Sequence, residues 1–162
     1  MMHELSREMI RYFETDIRRI NHALKVFAFA QTICGAEGIS GVQRETVEAA
    51  ALLHDIGIKE SERKYNSSAW NHQEAEGPPV ARTILEAHNF PAEITERVCF
   101  IIGHHHSYAE IDGIDFRILV ADLIVNLGEQ NKGYAALDEL RSRYFETACG
   151  IEIISGMYEE QQ

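Results

Sequence analysis

The sequence has no segment long and apolar enough to cross a membrane. Its most apolar stretch, residues 118–127, is interrupted by Asp122 and is shorter than the roughly 20 residues that a bilayer-spanning helix needs. Residues 1–11 mix His, Glu and Arg with apolar residues, and they lack the apolar core and cleavage site of a signal peptide. We therefore expect a cytoplasmic protein that starts inside its domain and has no membrane partner.

Cysteine pairs and basic clusters are also missing. Cys34, Cys99 and Cys149 lie far apart among apolar or small residues and form no CxxC pair, so we interpret them as core residues. The net charge of −11 argues against a nucleic-acid partner, because binding to a phosphate backbone depends on clustered Lys and Arg. A small phosphorylated substrate is compatible with this charge, since bound metal cations reverse its sign locally.

No segment shows the two-residue apolar period of a β-strand, whereas helical spacing recurs along the chain. The length of 162 residues, with 45% hydrophobic and 25% charged residues, is that of one ordinary globular domain. We therefore predict an all-α fold, with a single domain over residues 1–162 built as a helical bundle. The sequence leaves open whether this domain forms a homo-oligomer.

Apolar spacing and the turn residues between the apolar segments predict six helices. Their predicted positions are Glu4 to about Cys34, a segment ending at Gly57, a segment from Asn71 to about Asn89, Ile94 to His105, Phe116 to Leu127, and 134–148. The pair His54-Asp55 is therefore expected at the end of one helix, and the pair His104-His105 at the end of another.

Three local expectations concern the segment after the second helix. Residues 59–69 are polar and carry no apolar period, which predicts a surface loop. Asn71 with Glu74 resembles a capping box at the start of the third helix. The two prolines after Gly77 predict a break there and a restart at Pro79, because proline lacks an amide hydrogen and clashes with the preceding turn.

Asp122 is the most informative single residue, because it lies between two apolar runs, 119–121 and 123–125. A carboxylate there is expected to be buried, and burying it without a partner is far too costly for a marginally stable domain. It must be protonated, paired with a cation or bound to a metal.

Other residues of the types that bind metals lie on or beside apolar helix faces, at His22, His54, Asp55, His72, His104 and His105. A lone histidine in such a place is usually structural, but several imidazoles with two carboxylates are typical ligands of iron, manganese and zinc.

The order of these residues resembles a known family. His22, then His54-Asp55 after Ala-Ala-Ala-Leu-Leu, then Asp122 within Val-Ala-Asp-Leu-Ile resembles the H...HD...D signature of the HD superfamily of metal-dependent phosphohydrolases. The resemblance extends from His22 to about Asn126. It implies a helical bundle with a metal site in its middle, held by these four residues.

Two further elements resemble branches of the superfamily that bind two metals. His72 followed by Gly77 resembles an H-x-x-x-(x)-G element, and residues 101–105 resemble an apolar-x-x-H-H element. The prolines after Gly77 depart from the uninterrupted helix of those branches. The second metal site that the resemblance implies consists of His72, His104, His105 and a bridging Asp55.

Three points about the metals stay open in the sequence. His106 is an alternative to His104 or His105 as a ligand, because a shift of one residue in register exchanges them. The number of metal ions is one or two. The metal is Fe, Mn, Zn, Ni or Mg, since one His and Asp set accepts several of these ions.

The chemistry implied by the resemblance is hydrolysis by metal-activated water. Two cations lower the pKa of a water molecule between them and neutralise charge on the attacked phosphoryl group. We therefore predict cleavage of a phosphoester or phosphoanhydride bond in a small phosphorylated metabolite, above all a nucleotide, with Asp55 central to catalysis. Lys59 and Arg63 are predicted to bind substrate and stabilise the leaving group, and Arg82 to bind substrate. A solvated surface role is the alternative for these cations.

Other functions within the superfamily are the alternatives. HD-GYP phosphodiesterases resemble this chain less well, because Ile-Gly-Ile follows His54-Asp55 where they have Ile-Gly-Lys, and residues 107–115 lack a Gly-Tyr-Pro element. An HD-type di-iron oxygenase and a non-catalytic metal-containing sensor module share the same ligand types. The substrate itself depends on the shape of loops, which the sequence does not determine.

Overall fold

The computed structural model describes residues 1–107, 113–130 and 137–158, and the only regular secondary structure in these ranges is helical. The all-α prediction is confirmed. The helices are α1 Met2–Phe13, α2 Ile17–Ala36, α3 Gly41–Leu53, α4 Ile58–Tyr65, α5 Trp70–Ala87, α6 Ala92–Ile102, α7 Gly113–Ile118, α8 Ala121–Glu129, α9 Leu137–Tyr144 and α10 Ala148–Tyr158. No helix in the described ranges is long and apolar enough to span a bilayer.

Helix α3 lies at the centre of the bundle. Residues 46–53 are all buried, and α3 packs against α1, α2, α6 and α7. The small side chains of Ala49, Ala50 and Ala51 present no polar group and let neighbouring helices approach on several sides. The end of α3, where His54 follows Leu53, is therefore surrounded by other helices.

The prediction of one helix from Glu4 to Cys34 is wrong, because the chain turns between α1 and α2. Glu14, at a φ of 55°, ends α1, and Asp16 begins α2 by accepting a hydrogen bond from the backbone N–H of Arg19 at 3.1 Å. This cap satisfies one of the free amides at the helix start. Apolar spacing continues across the turn, so the periodicity alone did not reveal it.

The prediction of a surface loop over residues 59–69 is wrong for its first part, which forms α4. Only Ile58 and Ser61 of this helix are buried, so it has too few apolar positions to produce a recognisable period. Contact with α5 and the ion pair of Lys64 with Glu76 hold it in place. Asn66 ends it in the left-handed conformation, at a φ of 49°.

The predicted break near Gly77 and the restart at Pro79 are also wrong, because α5 runs through both prolines. Its N-cap is Ala69, so the capping box of Asn71 and Glu74 is not formed. Two interior prolines remove two backbone hydrogen bonds, at a cost of roughly 3 kcal/mol or more for each proline. Packing against both α4 and α6 compensates for this loss.

Two glycines allow the chain after α3 to lie directly on α5. A Cβ atom on Gly57 would come within 2.4 Å of the carbonyl oxygen of Gln73 and 2.5 Å of the backbone nitrogen of Gly77. A Cβ atom on Gly77 would come within 2.5 Å of a methyl group of Ile102. Close approach, and not an unusual φ, therefore requires glycine here, and it positions the turn that carries Asp55.

The predicted helix from Phe116 to Leu127 is two helices, α7 and α8, separated by a turn at Leu119 and Val120. The predicted helix over 134–148 corresponds in its described part to α9, while residues 134–136 lie outside the described ranges, and α10 follows as an additional helix. Helix α6 ends at Ile102, so His104 and His105 lie in the turn after it and do not belong to the helix itself.

Candidate metal centre

The four residues of the predicted first metal site meet where three helices end or begin. His22 lies in α2, His54 follows the last residue of α3, Asp55 lies in the next turn, and Asp122 lies in the first turn of α8. His22, His54 and Asp122 are buried, and the side chain of Asp55 is 19% exposed. Asp122 therefore lies beside His22 and His54 in the interior of the bundle, although more than sixty residues separate it from either of them in the sequence.

The distances between these side chains match those of ligands around one cation. Nε2 of His22 lies 2.9 Å from Oδ1 of Asp122 and 3.2 Å from Nε2 of His54. Nε2 of His54 lies 3.6 Å from Oδ1 of Asp122 and 3.5 Å from Oδ2 of Asp55. Ligands bound at roughly 2.0–2.2 Å are about 3.0 Å apart at right angles and about 3.4 Å apart in a tetrahedron. The predicted convergence is thus present, and the donors are imidazole nitrogens and carboxylate oxygens.

Hydrogen bonds orient the two imidazoles and one carboxylate. Nδ1 of His54 donates to the carbonyl oxygen of Ala51 at 2.9 Å, which leaves Nε2 as the donor atom for a metal. Nδ1 of His22 lies 2.9 Å from Oε2 of Glu129, and the amide of Asn126 donates to Oδ1 of Asp122 at 2.8 Å. Sequence reasoning missed Asn126 and Glu129. Their positions four and seven residues after Asp122, on one face of α8, were the available signal.

In the metal-free protein, protonation of imidazoles in this cluster compensates for the negative charge of its carboxylates. Burial alone lowers the pKa of His54, but the carboxylates of Asp55 and Asp122 outweigh it and raise the pKa to about 9. Burial opposes ionisation of Asp55, yet the positive charge of His54 and the nearby imidazole of His105 lower its pKa to about 2. Hydrogen bonds from His22 and His54 likewise hold the pKa of Asp122 far below its usual value despite burial. The same negative charge attracts a divalent cation.

A second group of potential ligands lies beside the first. Glu74, His105 and His106 each offer an atom within 4.8 Å of the others. Nε2 of His105 also lies 3.6 Å from Oδ1 of Asp55, the carboxylate oxygen that does not face His54. Glu74 was missed as a candidate ligand, because no sequence signal distinguished it from a helix-capping residue.

The structure places the other two predicted ligands of the second metal against aromatic rings. His72 stacks on Tyr65 with ring centroids 4.1 Å apart, and His104 stacks on Phe100 at 4.3 Å and bonds through Nδ1 to the Phe100 carbonyl oxygen. Neither belongs to the ligand groups found among the described residues. Metal binding by His72 and His104 stays a prediction from the resemblance, and His105 is grouped with His106 instead.

The predicted substrate-binding cations are all engaged in contacts. Lys59 donates to the carbonyl oxygen of Tyr12 at 2.9 Å and pairs with Glu14. Arg63 pairs with Glu60 on the exposed side of α4. Arg82 pairs with Glu96 through both terminal nitrogens of its guanidinium group, on the exposed face between α5 and α6. Their substrate-binding roles stay predictions.

A cavity of about 190 Å³ opens onto the first group of ligands. Its walls consist of Arg18, Arg19, His22, Asp55, Ile58, Asn126, Glu129 and Gln130. A neighbouring cavity of about 570 Å³ shares Arg18 and Arg19 and is also lined by Lys59.

The two arginines shared by these cavities differ in their contacts. Asp16 and Glu62 hold the guanidinium group of Arg19, whereas Arg18 is exposed and pairs with no other residue of the described ranges. Sequence reasoning missed Arg18, although its position four residues before His22 puts both on one face of α2.

Comparison with known families identifies the class of the protein. Residues 19–148 match the HD domain, and this match covers most of the chain and includes all four residues of the first group. The chain belongs to the HD domain family. Membership implies a divalent-metal-binding protein of a hydrolase superfamily, and the imidazole and carboxylate donors found here fit such an ion. No curated protein and no solved structure matches the chain.

Proposed function

We propose that this protein hydrolyses a phosphoester or phosphoanhydride bond of a small phosphorylated metabolite of the nucleotide class. The observation that carries the proposal is the position of the first ligand group at the wall of a cavity that also contains Arg18 and Arg19. A metal-binding group and an arginine without a carboxylate partner, Arg18, at one cavity are what binding and cleavage of a phosphate ester require.

Each part of this arrangement has a distinct role. A bound divalent cation supplies a water molecule of lowered pKa and neutralises charge on the phosphoryl group. His22, His54, Asp55 and Asp122 hold that cation, and Glu129 and Asn126 keep His22 and Asp122 in their orientations. Arg18 contacts the phosphate of the substrate, because its guanidinium group reaches the cavity without a carboxylate partner.

The size and charge of the cavities support a small substrate. The larger cavity falls within the roughly 300–1,000 Å³ typical of small-molecule sites, and it shares Arg18 and Arg19 with the smaller cavity that reaches His22 and Asp55. It therefore has room for the part of the substrate beyond the phosphate, with Lys59 in its wall. The net charge of −11 disfavours a long polyanion such as RNA.

A substrate screen with two arginine variants tests the proposal. Protein loaded separately with Mn²⁺, Fe²⁺, Ni²⁺ or Mg²⁺ is assayed against nucleotides, dinucleotides and sugar phosphates for phosphate or nucleotide release. On the best substrate, Arg18→Gln is expected to raise KM by about 10-fold or more with a smaller change in kcat, since one charged hydrogen bond contributes roughly 1.5–3 kcal/mol. Arg82→Gln is the matched control and is expected to leave KM unchanged, because Arg82 is bound to Glu96 outside both cavities.

Three outcomes contradict the proposal or the role that it gives to Arg18. Absence of hydrolysis with every metal, in protein shown to contain metal, excludes a phosphohydrolase and leaves the sensor module. Oxygen consumption by the iron-loaded protein, in place of hydrolysis, identifies the oxygenase alternative. An unchanged KM in Arg18→Gln together with a raised KM in Arg82→Gln assigns substrate binding to the other face of the bundle.

A further inference from the structure

We propose that Glu74, His105 and His106 form a second cation-binding position that shares Asp55 with the first, and that Glu74 is its charged ligand. This donor set differs from the one implied by family resemblance, which contains His72 and His104. The assignment concerns cation binding alone, so it holds or fails independently of the substrate proposed above.

Asp55 has the geometry of a carboxylate placed between two cations. Its Oδ2 atom faces the first group, at 3.5 Å from Nε2 of His54 and 3.7 Å from Nε2 of His22. Its Oδ1 atom faces the second group, at 3.6 Å from Nε2 of His105. One carboxylate thus presents a different oxygen to each group, and bridged metal pairs lie about 3.5–4 Å apart.

His105 provides an independent indication of a ligand. Its side chain is only 1% exposed, its Nδ1 donates to the carbonyl oxygen of Ile102 at 2.7 Å, and its Nε2 has no hydrogen-bond partner. A buried polar atom without a partner costs roughly 1–3 kcal/mol, so such atoms are rare unless a ligand satisfies them. The Nδ1 bond fixes the ring so that Nε2 is the free donor atom and points toward Asp55.

His106 and Glu74 complete the position. Nδ1 of His106 is buried without a hydrogen bond and lies 4.0 Å from Oε1 of Glu74. Glu74 is held in place because the backbone N–H of His106 donates to it at 2.9 Å and the hydroxyl of Ser107 lies at 3.4 Å. Two imidazoles and two carboxylates, counting Asp55, suit Mn²⁺ and Fe²⁺, since carboxylates favour the harder ions.

The spacing also predicts the order of binding. The 4.0 Å separation between His106 and Glu74 is wider than the separations within the first group, which begin at 2.9 Å. Ligands that must move closer bind more weakly, because the movement costs free energy. The second position is therefore expected to fill after the first, at a higher concentration of metal.

Metal titration of the full chain tests the assignment. Protein stripped with a chelator is dialysed against a series of Mn²⁺ concentrations, and bound manganese is measured by mass spectrometry. Wild type is expected to bind two ions in two steps. Glu74→Gln is expected to weaken the second step by about 10- to 100-fold or more, while the first step is unchanged, since even residues that only orient ligands contribute that much. The matched controls, His72→Gln and His104→Gln, are expected to bind two ions as wild type does.

A spectroscopic signal separates ligation from an indirect effect on folding. Two Mn²⁺ ions joined by Asp55 give an exchange-coupled electron paramagnetic resonance signal, and Glu74→Gln is expected to show only the signal of an isolated ion. Glutamine keeps an oxygen acceptor for the N–H of His106, so the fold is expected to persist. If melting shows otherwise, His106→Gln carries the same test, because it removes a ligand and keeps the backbone contact.

The metal content of wild type and of the variants distinguishes the two possible sets of ligands. Wild-type affinity at both steps in Glu74→Gln and His106→Gln, or loss of the second ion in His72→Gln, overturns the assignment in favour of the ligands implied by resemblance. A single ion per wild-type chain overturns it as well, whether or not phosphate esters are hydrolysed. Two ions with the expected variant pattern, in a protein that hydrolyses nothing, uphold the assignment and reject the proposed function.

Discussion

His54 illustrates how a single residue links folding to metal binding. It follows a helix that is buried along its last two turns, so its imidazole has no access to solvent and must be satisfied by its neighbours. The carbonyl oxygen of Ala51 satisfies one nitrogen, and the carboxylates of Asp55 and Asp122 lie close to the other. In the metal-free protein a proton on this second nitrogen is stabilised, and a metal cation must displace it.

This competition predicts that metal affinity rises with pH. The carboxylates raise the pKa of His54 from 6.5 to about 9 against the effect of burial, so the imidazole is protonated at neutral pH. Apparent affinity for Mn²⁺ is therefore expected to increase by about 10-fold per pH unit for this proton, between about pH 6.5 and pH 8.5. Calorimetric titration under anaerobic conditions, in buffers with different heats of ionisation, measures both the affinity and the number of protons released.

The same pKa determines the stability of the metal-free protein. A folded pKa above the unfolded value contributes stability that is complete below pH 6.5 and is lost as the pH rises through 9. Chelator-treated protein is thus expected to melt at a lower temperature above pH 9 than at pH 6. A pH-independent affinity with no proton release contradicts a protonated His54 in the metal-free state.

At the scale of the helices, the contact between Gly57 and α5 is what holds the ligand-bearing turn in place. Gly57→Ala puts a methyl group against the backbone of Gln73 and Gly77, which cannot move without displacing α5. The variant is expected to lose about 1–3 kcal/mol of stability and to bind the first metal more weakly, because Asp55 moves with the turn. Denaturant melts and metal titration measure the two effects.

Gly35→Ala is the control for this prediction. Gly35 lies within α2, and a Cβ atom there would meet nothing within 4 Å. Alanine has the higher helix propensity, so this variant is expected to gain up to about 1 kcal/mol. If Gly57→Ala is as stable as Gly35→Ala, the close approach of the two glycine-bearing segments is not important for the fold.

The helices also show what local sequence could and could not predict. The pattern around His54-Asp55 was predictable, because the alanine-rich segment before it is apolar on all sides and Gly57 follows. Helix α4 was not, since only two of its residues are buried and its stability comes from ion pairs and from α5. The continuity of α5 through two prolines likewise depends on neighbours distant in sequence.

Over the whole molecule, the order of the ligand-type residues along the chain was informative, whereas the orientation of individual side chains could not be predicted from the sequence. The order of His22, His54-Asp55 and Asp122 along the chain predicted a shared site, and these residues meet in the bundle. Glu74 could not be chosen from the sequence, because it looks like an ordinary helix-capping residue until the bundle brings it to the site. For Glu129 and Arg18 the sequence offered only their helical spacing from Asp122 and from His22. The proposed ligand role of Glu74 in place of His72 depends on rotation about one helix axis.

Because the site joins α2, α3 and α8, metal binding is expected to stabilise the entire domain. A ligand that binds only the folded state at 100 times its dissociation constant adds about 2.7 kcal/mol, which for a domain of this size raises Tm by about 5–10 °C. Wild-type protein with saturating Mn²⁺ is therefore expected to melt that much higher than chelator-treated protein. Scanning calorimetry with and without metal measures the difference.

The stabilisation by metal binding is expected to decrease most in the Asp55→Asn variant. The change keeps the shape of the side chain but removes the negative charge that faces both groups of ligands, so cations lose a shared charged ligand. The rise in Tm is expected to fall to less than half of the wild-type value, metal content to drop, and turnover of the best phosphate ester to decrease by more than about 100-fold. Arg82→Gln should keep the full rise, because Arg82 lies outside both cavities. A folded Asp55→Asn protein with wild-type metal content, stabilisation and turnover would refute the central role assigned to this carboxylate.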